Sequence, residues 1–282
     1  MSIYSPMRSI VFCLLLCLPN CPYAQQDTCI APVQTYQIES QHLGATRQFW
    51  ISLPLRYDPQ KAYPVMYVLD AEWRMDLVRP ISYDFGGNEL IPQHIVVGIP
   101  HIDWRSQRGK DLTFSQSRIE YDGSIVDSTT YNTSNSGQAA FFYKYLTTEL
   151  IPKVNQLFKT SGQNMLIGHS YGGYFGAYIL GRDHPFQTFH IYDPSIWYSD
   201  GEVLERIQQE LDRNRALTVY LSFQPAPSFH AGKIRKLIQL LESYPNIRLG
   251  WSFFPDYSHN ALFLPSFWEG IRFTFPKKNT RE

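Results

Sequence analysis

The sequence predicts an α/β fold with a mostly parallel central sheet, and three observations carry that prediction. Apolar strand-like runs alternate with amphipathic helical ones along the chain. Only the opening alternates in polarity residue by residue. One apolar run leads through Gly-x-Ser-x-Gly directly into an apolar helix.

Taken in order, Val33 to Glu39 and Arg47 to Leu53 flank a Gly44 turn and read as an antiparallel hairpin at a sheet edge. Runs of the buried-strand type follow at Val65 to Leu69, Ile95 to Ile99, Met165 to Ile167, Phe189 to Tyr192, Leu217 to Phe223 and Ile247 to Phe253. Helices are expected at Ala139 to Phe158, kinked or divided by Pro152, at Tyr171 to Leu180 and at Phe263 to Phe273. Another is expected at Lys233 to Tyr244, with Ile234, Leu237, Ile238 and Leu241 on one face. The polar stretch from Arg105 to Gly137 follows a strand, so it should emerge at the carboxyl edge of the sheet. There it is either a ligand-facing segment or a solvated insertion.

Residues 1–24 read as an export signal: Arg8 is the positive region, Ile10 to Leu18 the apolar core, and Pro22-Tyr23-Ala24 a cleavage point. The apolar run is too short to span a bilayer, so a periplasmic or secreted protein with no membrane span in its mature form is expected. Three of the four cysteines fall inside that segment, leaving Cys29, so no internal disulfide framework is available. Residues 25–282 are enough for one domain with a sizeable core, and no break in composition marks a second. The 25 basic and 25 acidic side chains balance, which offers nothing to nucleic acid or an anionic membrane surface. Neither His-Glu-x-x-His nor paired cysteines occur, so no metal or other cofactor is implied.

The chemistry centres on Gly168-His169-Ser170-Tyr171-Gly172. A serine at the tip of a strand-to-helix turn sits in strained backbone and needs small neighbours. Gly168 and Gly172 supply that room, and Gly173 and Gly176 should let the helix pack close to its strand. A serine hydroxyl is a weak nucleophile until a base takes its proton. His259 suits that role, because it follows the last strand and lies downstream of Ser170; His230, after the preceding strand, is the runner-up. The acid that should orient the histidine is expected in the loop after the penultimate strand. That loop, Gln224 to His230, contains no carboxylate. Asp256, three residues before His259, is one substitute, and a Ser–His dyad braced by a backbone carbonyl is the other. Oxyanion donors are expected at the amide of Tyr171 and in the loop Asp70-Ala71-Glu72-Trp73.

Together these residues make the chain resemble the putative-esterase family of α/β-hydrolases, which includes esterase D-type enzymes, mycolyltransferases and exported siderophore esterases. The ordered landmarks are Val68-Leu69-Asp70, Val97-Gly98-Ile99, Lys110-Asp111-Leu112-Thr113, Glu149-Leu150-Ile151-Pro152, the Ser170 elbow, Asp193-Pro194-Ser195-Ile196-Trp197 and Ser258-His259. The resemblance implies an α/β-hydrolase fold with helices on both faces of the sheet. It implies Ser170 as nucleophile, His259 as base, and the amides of Tyr171 and Glu72 as oxyanion donors. It also implies that Arg105 meets an anionic part of the substrate, against the alternative of a surface ion pair. The chain departs from the family pattern at Ala71, often glycine, and at Asp193, often serine. The activity so implied is hydrolysis of a small-molecule ester, with siderophore-type lactones as a candidate class. Acyl transfer, glycan-ester hydrolysis or a non-catalytic binding protein on the same fold are the alternatives.

Overall fold

The computed structural model describes residues 30–101, 103–104 and 106–277. The expected export signal at residues 1–24, Cys29 and Arg105 lie outside the described residues.

Eight strands form one sheet in the order β1-β2-β4-β3-β5-β6-β7-β8. The opening hairpin pairs β1 (Gln34–Ser40) antiparallel with β2 (Ala45–Ser52). Gly44 closes the turn at φ 60°, a left-handed conformation that costs glycine least. β2 then runs antiparallel to β4 (Ile95–Ile99), and every later pairing is parallel. β3 (Tyr63–Leu69) and β5 (Thr160–His169) occupy the centre. β6 (Thr188–Tyr192), β7 (Leu217–Phe223) and β8 (Ile247–Phe253) extend the sheet to its far edge. Parallel strands covered on both faces are apolar throughout, as β3 and β4 are; β8, expected to be of the buried type, lies at the edge and is mostly exposed or half-buried.

Side chains alternate across the sheet into two hydrophobic layers. Met66, Val68, Val96, Met165 and Ile167 pack beneath α1 (Ala71–Gly87) and α8 (Phe263–Thr274). Tyr67, Leu69, Val97, Leu166 and Ile191 pack on the opposite side with α5 (Tyr171–Ile179), α6 (Glu202–Glu210) and α7 (Ser228–Glu242).

Several elements differ from expectation. Asp70 to Trp73 is not a loop: helix begins at Ala71, directly after β3. Its buried positions Ala71, Met75, Val78 and Ser82 keep helical spacing, but Pro80 and a polar residue at a buried position mask the pattern. α6 was likewise unread; Val203 and Ile207 are its buried residues, one turn apart. α7 begins at Ser228, right after Pro227, so His230 sits in a first helical turn rather than on a loop. The stretch from Ala139 to Leu157 is helical, as α3 (Ala139–Lys144), a π-helical turn (Tyr145–Leu150) and α4 (Ile151–Leu157). Pro152 lacks an amide hydrogen and crowds the preceding turn, and the wider π turn just before it accommodates both effects.

The polar segment after β4 contains α2 (Gln107–Leu112) and then irregular backbone tied to the body. The Gly137 amide donates to Thr113 Oγ1 at 2.9 Å, the Ser199 amide to Ser117 Oγ at 3.0 Å, and Tyr198 OH to the Ser115 carbonyl at 3.1 Å. Residues 117–131 are thereby held over the carboxyl edge of the sheet.

Candidate active site

The site is assembled where β3, β5, β6 and β8 end. β5 carries the chain to His169, and Ser170 then turns it into α5 with φ 59° and ψ −119°. A positive φ at a non-glycine residue stores strain, and the closeness of the flanking chain maintains it. At Gly168 a Cβ would lie 2.2 Å from the Gly172 carbonyl oxygen, and at Gly173 it would lie 3.0 Å from Pro194. Close approach requires glycine at 168, and at 173 a methyl would fit only if Pro194 gave way by a few tenths of an ångström. Gly176 is not required in this way, because a Cβ there would come no nearer than 3.6 Å to Ile191.

The Ser170 hydroxyl lies 3.4 Å from Ser195 Oγ and lines a cavity of about 350 Å³ together with His259, His230, Tyr121, Tyr131 and Trp197. A second recess of about 420 Å³ also reaches Ser170 and His259. Trp73, Arg74, Arg108 and Asn260 form its other walls. The nucleophile and base candidates are therefore brought to one place, with an aromatic recess on one side and a cationic one on the other.

Asp256 does not join them: it is exposed on the loop after β8. The carboxylate on His259 belongs instead to Asp193, the residue directly after β6, whose Oδ2 accepts from His259 Nδ1 at 2.6 Å. In the sequence Asp193 stands out as part of a family landmark and as a departure from it, with no role attached. This carboxylate sits one strand earlier than the expected acid, and the available signal was a carboxylate capping a buried parallel strand at the ligand-binding edge. Asp193 is buried, and its Oδ1 accepts from His230 Nε2 at 2.9 Å and from the Gln224 amide at 3.3 Å. Burial works against its charge, but the hydrogen bonds from His230 and His259 outweigh it and hold the carboxyl well below the usual carboxylate range.

His169, inside the elbow, is buried and bonded at both ring nitrogens. Arg74 Nη2 donates to Nδ1 at 3.0 Å, so Nε2 carries the hydrogen and donates to the His259 carbonyl oxygen at 2.7 Å. Burial, then the neighbouring His259 and Arg74, push its pKa well below the ordinary value and keep it neutral. The residue before Ser170 is thus tied to the backbone of His259.

Two helix N-termini face the same region. Tyr171 opens α5 after β5, and Ala71 and Glu72 open α1 after the adjacent β3, so both present amides that a helix leaves without intrahelical acceptors. The two turns are close: a Cβ on Gly172 would lie 3.3 Å from Asp70 Oδ2. Asp70 is held by a two-point ion pair from Arg108 Nε and Nη2 at 2.6 and 2.9 Å. Burial opposes its charge, but Arg108 keeps the carboxyl below its ordinary pKa. The Arg108 guanidinium lies 5.2 Å from the centre of the Tyr171 ring, within cation–π range. The side chain of Glu72 turns away from the recess, and its Oε2 accepts from the His101 amide at 3.0 Å.

Among the described residues, Asp193, His230 and His259 form a group whose donor atoms could converge on an ion. Their hydrogen bonds instead match a carboxylate shared by two imidazoles. No helix of the described residues is long and apolar enough to cross a membrane.

Comparison with known proteins follows the same lines. The family model described as "Putative esterase" matches residues 40–223. No curated protein sequence matches the chain. Among solved structures, an IroE-like serine hydrolase from Shewanella oneidensis superposes with a TM-score of 0.74 at 24% identity, over 86% of this chain and 80% of that one. The BES protein from Bacillus cereus gives 0.75 at 23% identity, over 90% and 99%. The siderophore hydrolase EstB from Aspergillus nidulans gives 0.70 at 18% identity, over 89% and 99%. At these identities the structures speak to the fold, and the strand order, antiparallel hairpin and serine elbow are those of an α/β-hydrolase. By its family match the chain belongs to the putative esterase family and is a carboxylic ester hydrolase.

Proposed function

We propose that the chain is a serine esterase acting on small-molecule esters, with Ser170 as nucleophile, His259 as base and Asp193 as the acid behind it. The observation that carries this reading is the 2.6 Å hydrogen bond from His259 Nδ1 to Asp193 Oδ2, made in a cavity that Ser170 and His259 both line. With Nδ1–H committed to the carboxylate, Nε2 is the lone-pair nitrogen that can take a proton from the serine. Ser170 Oγ then bonds to the ester carbonyl carbon while His259 receives the hydroxyl proton. The tetrahedral oxyanion is stabilised by the amides of Tyr171 and Glu72. In support, the two helix N-termini that supply them adjoin at the ends of neighbouring strands. Collapse breaks the bond to the alcohol oxygen, which takes the proton from His259. Water repeats the sequence on the acyl-enzyme.

Within that class we favour a siderophore-type lactone or another ester with an aromatic portion and an anionic one. Tyr121, Tyr131 and Trp197 suit a flat apolar group, and Arg74 and Arg108 line the other recess. The likeness in fold to a protein described as a siderophore hydrolase points the same way. Residues 1–24 then act as an export signal, and the enzyme works in the periplasm or outside the cell. Turnover of p-nitrophenyl esters and of a catecholate trilactone, with covalent labelling by a fluorophosphonate, tests the assignment. The native chain should label at Ser170, and Ser170→Ala should lose both label and turnover. A Ser170→Ala variant that still turns substrate over would refute it.

A further inference from the structure

Asp193 is held by two histidines, and the reaction uses only one. His259 Nδ1 donates to Oδ2 at 2.6 Å, while His230 Nε2 donates to Oδ1 at 2.9 Å. The two rings stand nearly perpendicular, at 82°, with centres 6.2 Å apart. His230 is buried in the first turn of α7, and its Nδ1 is buried with no hydrogen-bond partner. That fixes its tautomer. A hydrogen on Nδ1 would be a buried donor with no acceptor, whereas a hydrogen on Nε2 satisfies Asp193. His230 therefore reaches the acid as a hydrogen-bond donor through Nε2.

Asp193 itself sits at φ 39°, at the abrupt end of β6, where one side-chain torsion decides which oxygen meets His259. The main chain braces only one side of it: the Gln224 amide reaches the same Oδ1 at a long 3.3 Å. Without the His230 contact, Oδ1 keeps only that long hydrogen bond, and the carboxylate is held less firmly on His259 Nδ1.

We propose that His230 is a positioning residue for the catalytic acid: its Nε2–H clamps Asp193 Oδ1, so that Oδ2 stays aligned on His259. This rests on the Ser170–His259–Asp193 reading above, and it adds a fourth side chain whose effect passes entirely through Asp193.

The test compares His230→Ala with His230→Gln, whose carboxamide nitrogen can reach the position of Nε2. Partners of this indirect kind are worth about 10- to 100-fold in activity where they orient a reacting ligand. His230→Ala should lower kcat on a p-nitrophenyl ester by about that factor with KM changed less than about twofold. It should also erase the far-downfield proton resonance of the His259–Asp193 hydrogen bond, and His230→Gln should restore most of both. Because His230 lines the cavity, a pure substrate contact would instead raise KM and leave kcat and the resonance alone; that result overturns the proposal. So does a folded His230→Ala variant with native kcat, or a folded pair of variants equally impaired. If His230→Ala does not fold, nitrogen NMR of the native enzyme decides, since a His230 found protonated at Nδ1 and bare at Nε2 overturns the clamp. Fluorophosphonate labelling of native Ser170 is measured alongside. Loss of that label would mean that the esterase reading has failed, whereas a labelled native enzyme with an indifferent His230 refutes the clamp alone.

Discussion

Asp193→Asn separates a triad from a dyad, and the structure dictates how the replacement amide must sit. Oδ1 receives two donors, His230 Nε2–H and the Gln224 amide, while Oδ2 receives one, His259 Nδ1–H. An asparagine has one oxygen and one NH₂. Turning the NH₂ toward His230 would face two donors against a donor, and His230 cannot escape by moving its hydrogen to the partnerless Nδ1. The oxygen therefore stays with His230 and Gln224, and the NH₂ confronts His259. His259 must then accept at Nδ1 and carry its hydrogen on Nε2, the tautomer that cannot take the serine proton. Wrong-tautomer substitutions of this kind cost about 10⁴ in kcat, or about 5 kcal/mol of transition-state stabilisation. Initial rates on a p-nitrophenyl ester, with thermal unfolding as a control for folding, measure the loss. A folded Asp193→Asn enzyme within about tenfold of native kcat would mean that His259 works unaided, and the tautomer argument would be wrong. The paired control is Asp256→Asn, which should change kcat by less than about twofold because Asp256 is exposed and is not the carboxylate on His259.

The glycines of the elbow should divide sharply. Gly168→Ala drives a methyl to 2.2 Å from the Gly172 carbonyl and should cost about 3 kcal/mol or more, or prevent folding. Gly176→Ala meets nothing nearer than 3.6 Å inside a helix and should stabilise by up to about 1 kcal/mol; equal unfolding midpoints for the two variants would contradict the packing. Stability should also fall as the solution is acidified below about pH 6.5. Burial lowers His94 to about 4, and it lowers His184 and His190 to about 3, with Arg215 adding to the effect on His184 and His94 to that on His190. Between those values and 6.5 the unfolded chain binds protons that the folded one refuses, so each group removes up to about 1.4 kcal/mol per pH unit. The depressed pKa of Asp193 adds in the same direction at lower pH, its stabilisation being present above the unfolded carboxyl value and lost toward the folded one. Urea unfolding at pH 7 and pH 5 measures the difference, and equal stabilities would count against the buried neutral imidazoles.

The parts of the fold that were legible in the sequence are those with a local signature. A central strand is covered on both faces, so β3, β4, β6 and β7 appear as apolar runs; β8, at the edge, is half-exposed, and the observed strands fall on or extend the expected segments. Ser170 was legible because the elbow's demands fall on adjacent residues. α1 and α6 were not, because a polar buried position, an internal proline and a short amphipathic face blur the helical period. The segment expected to hold the second oxyanion donor is hidden for the same reason: Glu72 looks like loop until α1 is recognised.

The acid was illegible for a different reason. The bond from Asp193 to His259 joins positions 66 residues apart, and its existence depends on β6 and β8 ending at the same edge with β7 between them. No local pattern encodes that. The loop after β7 offers no carboxylate, and Asp256 or a dyad are the alternatives a search downstream of β7 leaves. The molecule divides the task differently. β6 supplies the carboxylate, and the turn from β7 into α7 supplies donors to it, the Gln224 amide and His230 Nε2. An acid at the end of β7 would have stood among those donors, where Asp193 now points. The missing carboxylate and the second histidine are thus one feature: with a carboxylate at the end of β6, the turn after β7 holds the donors that meet it.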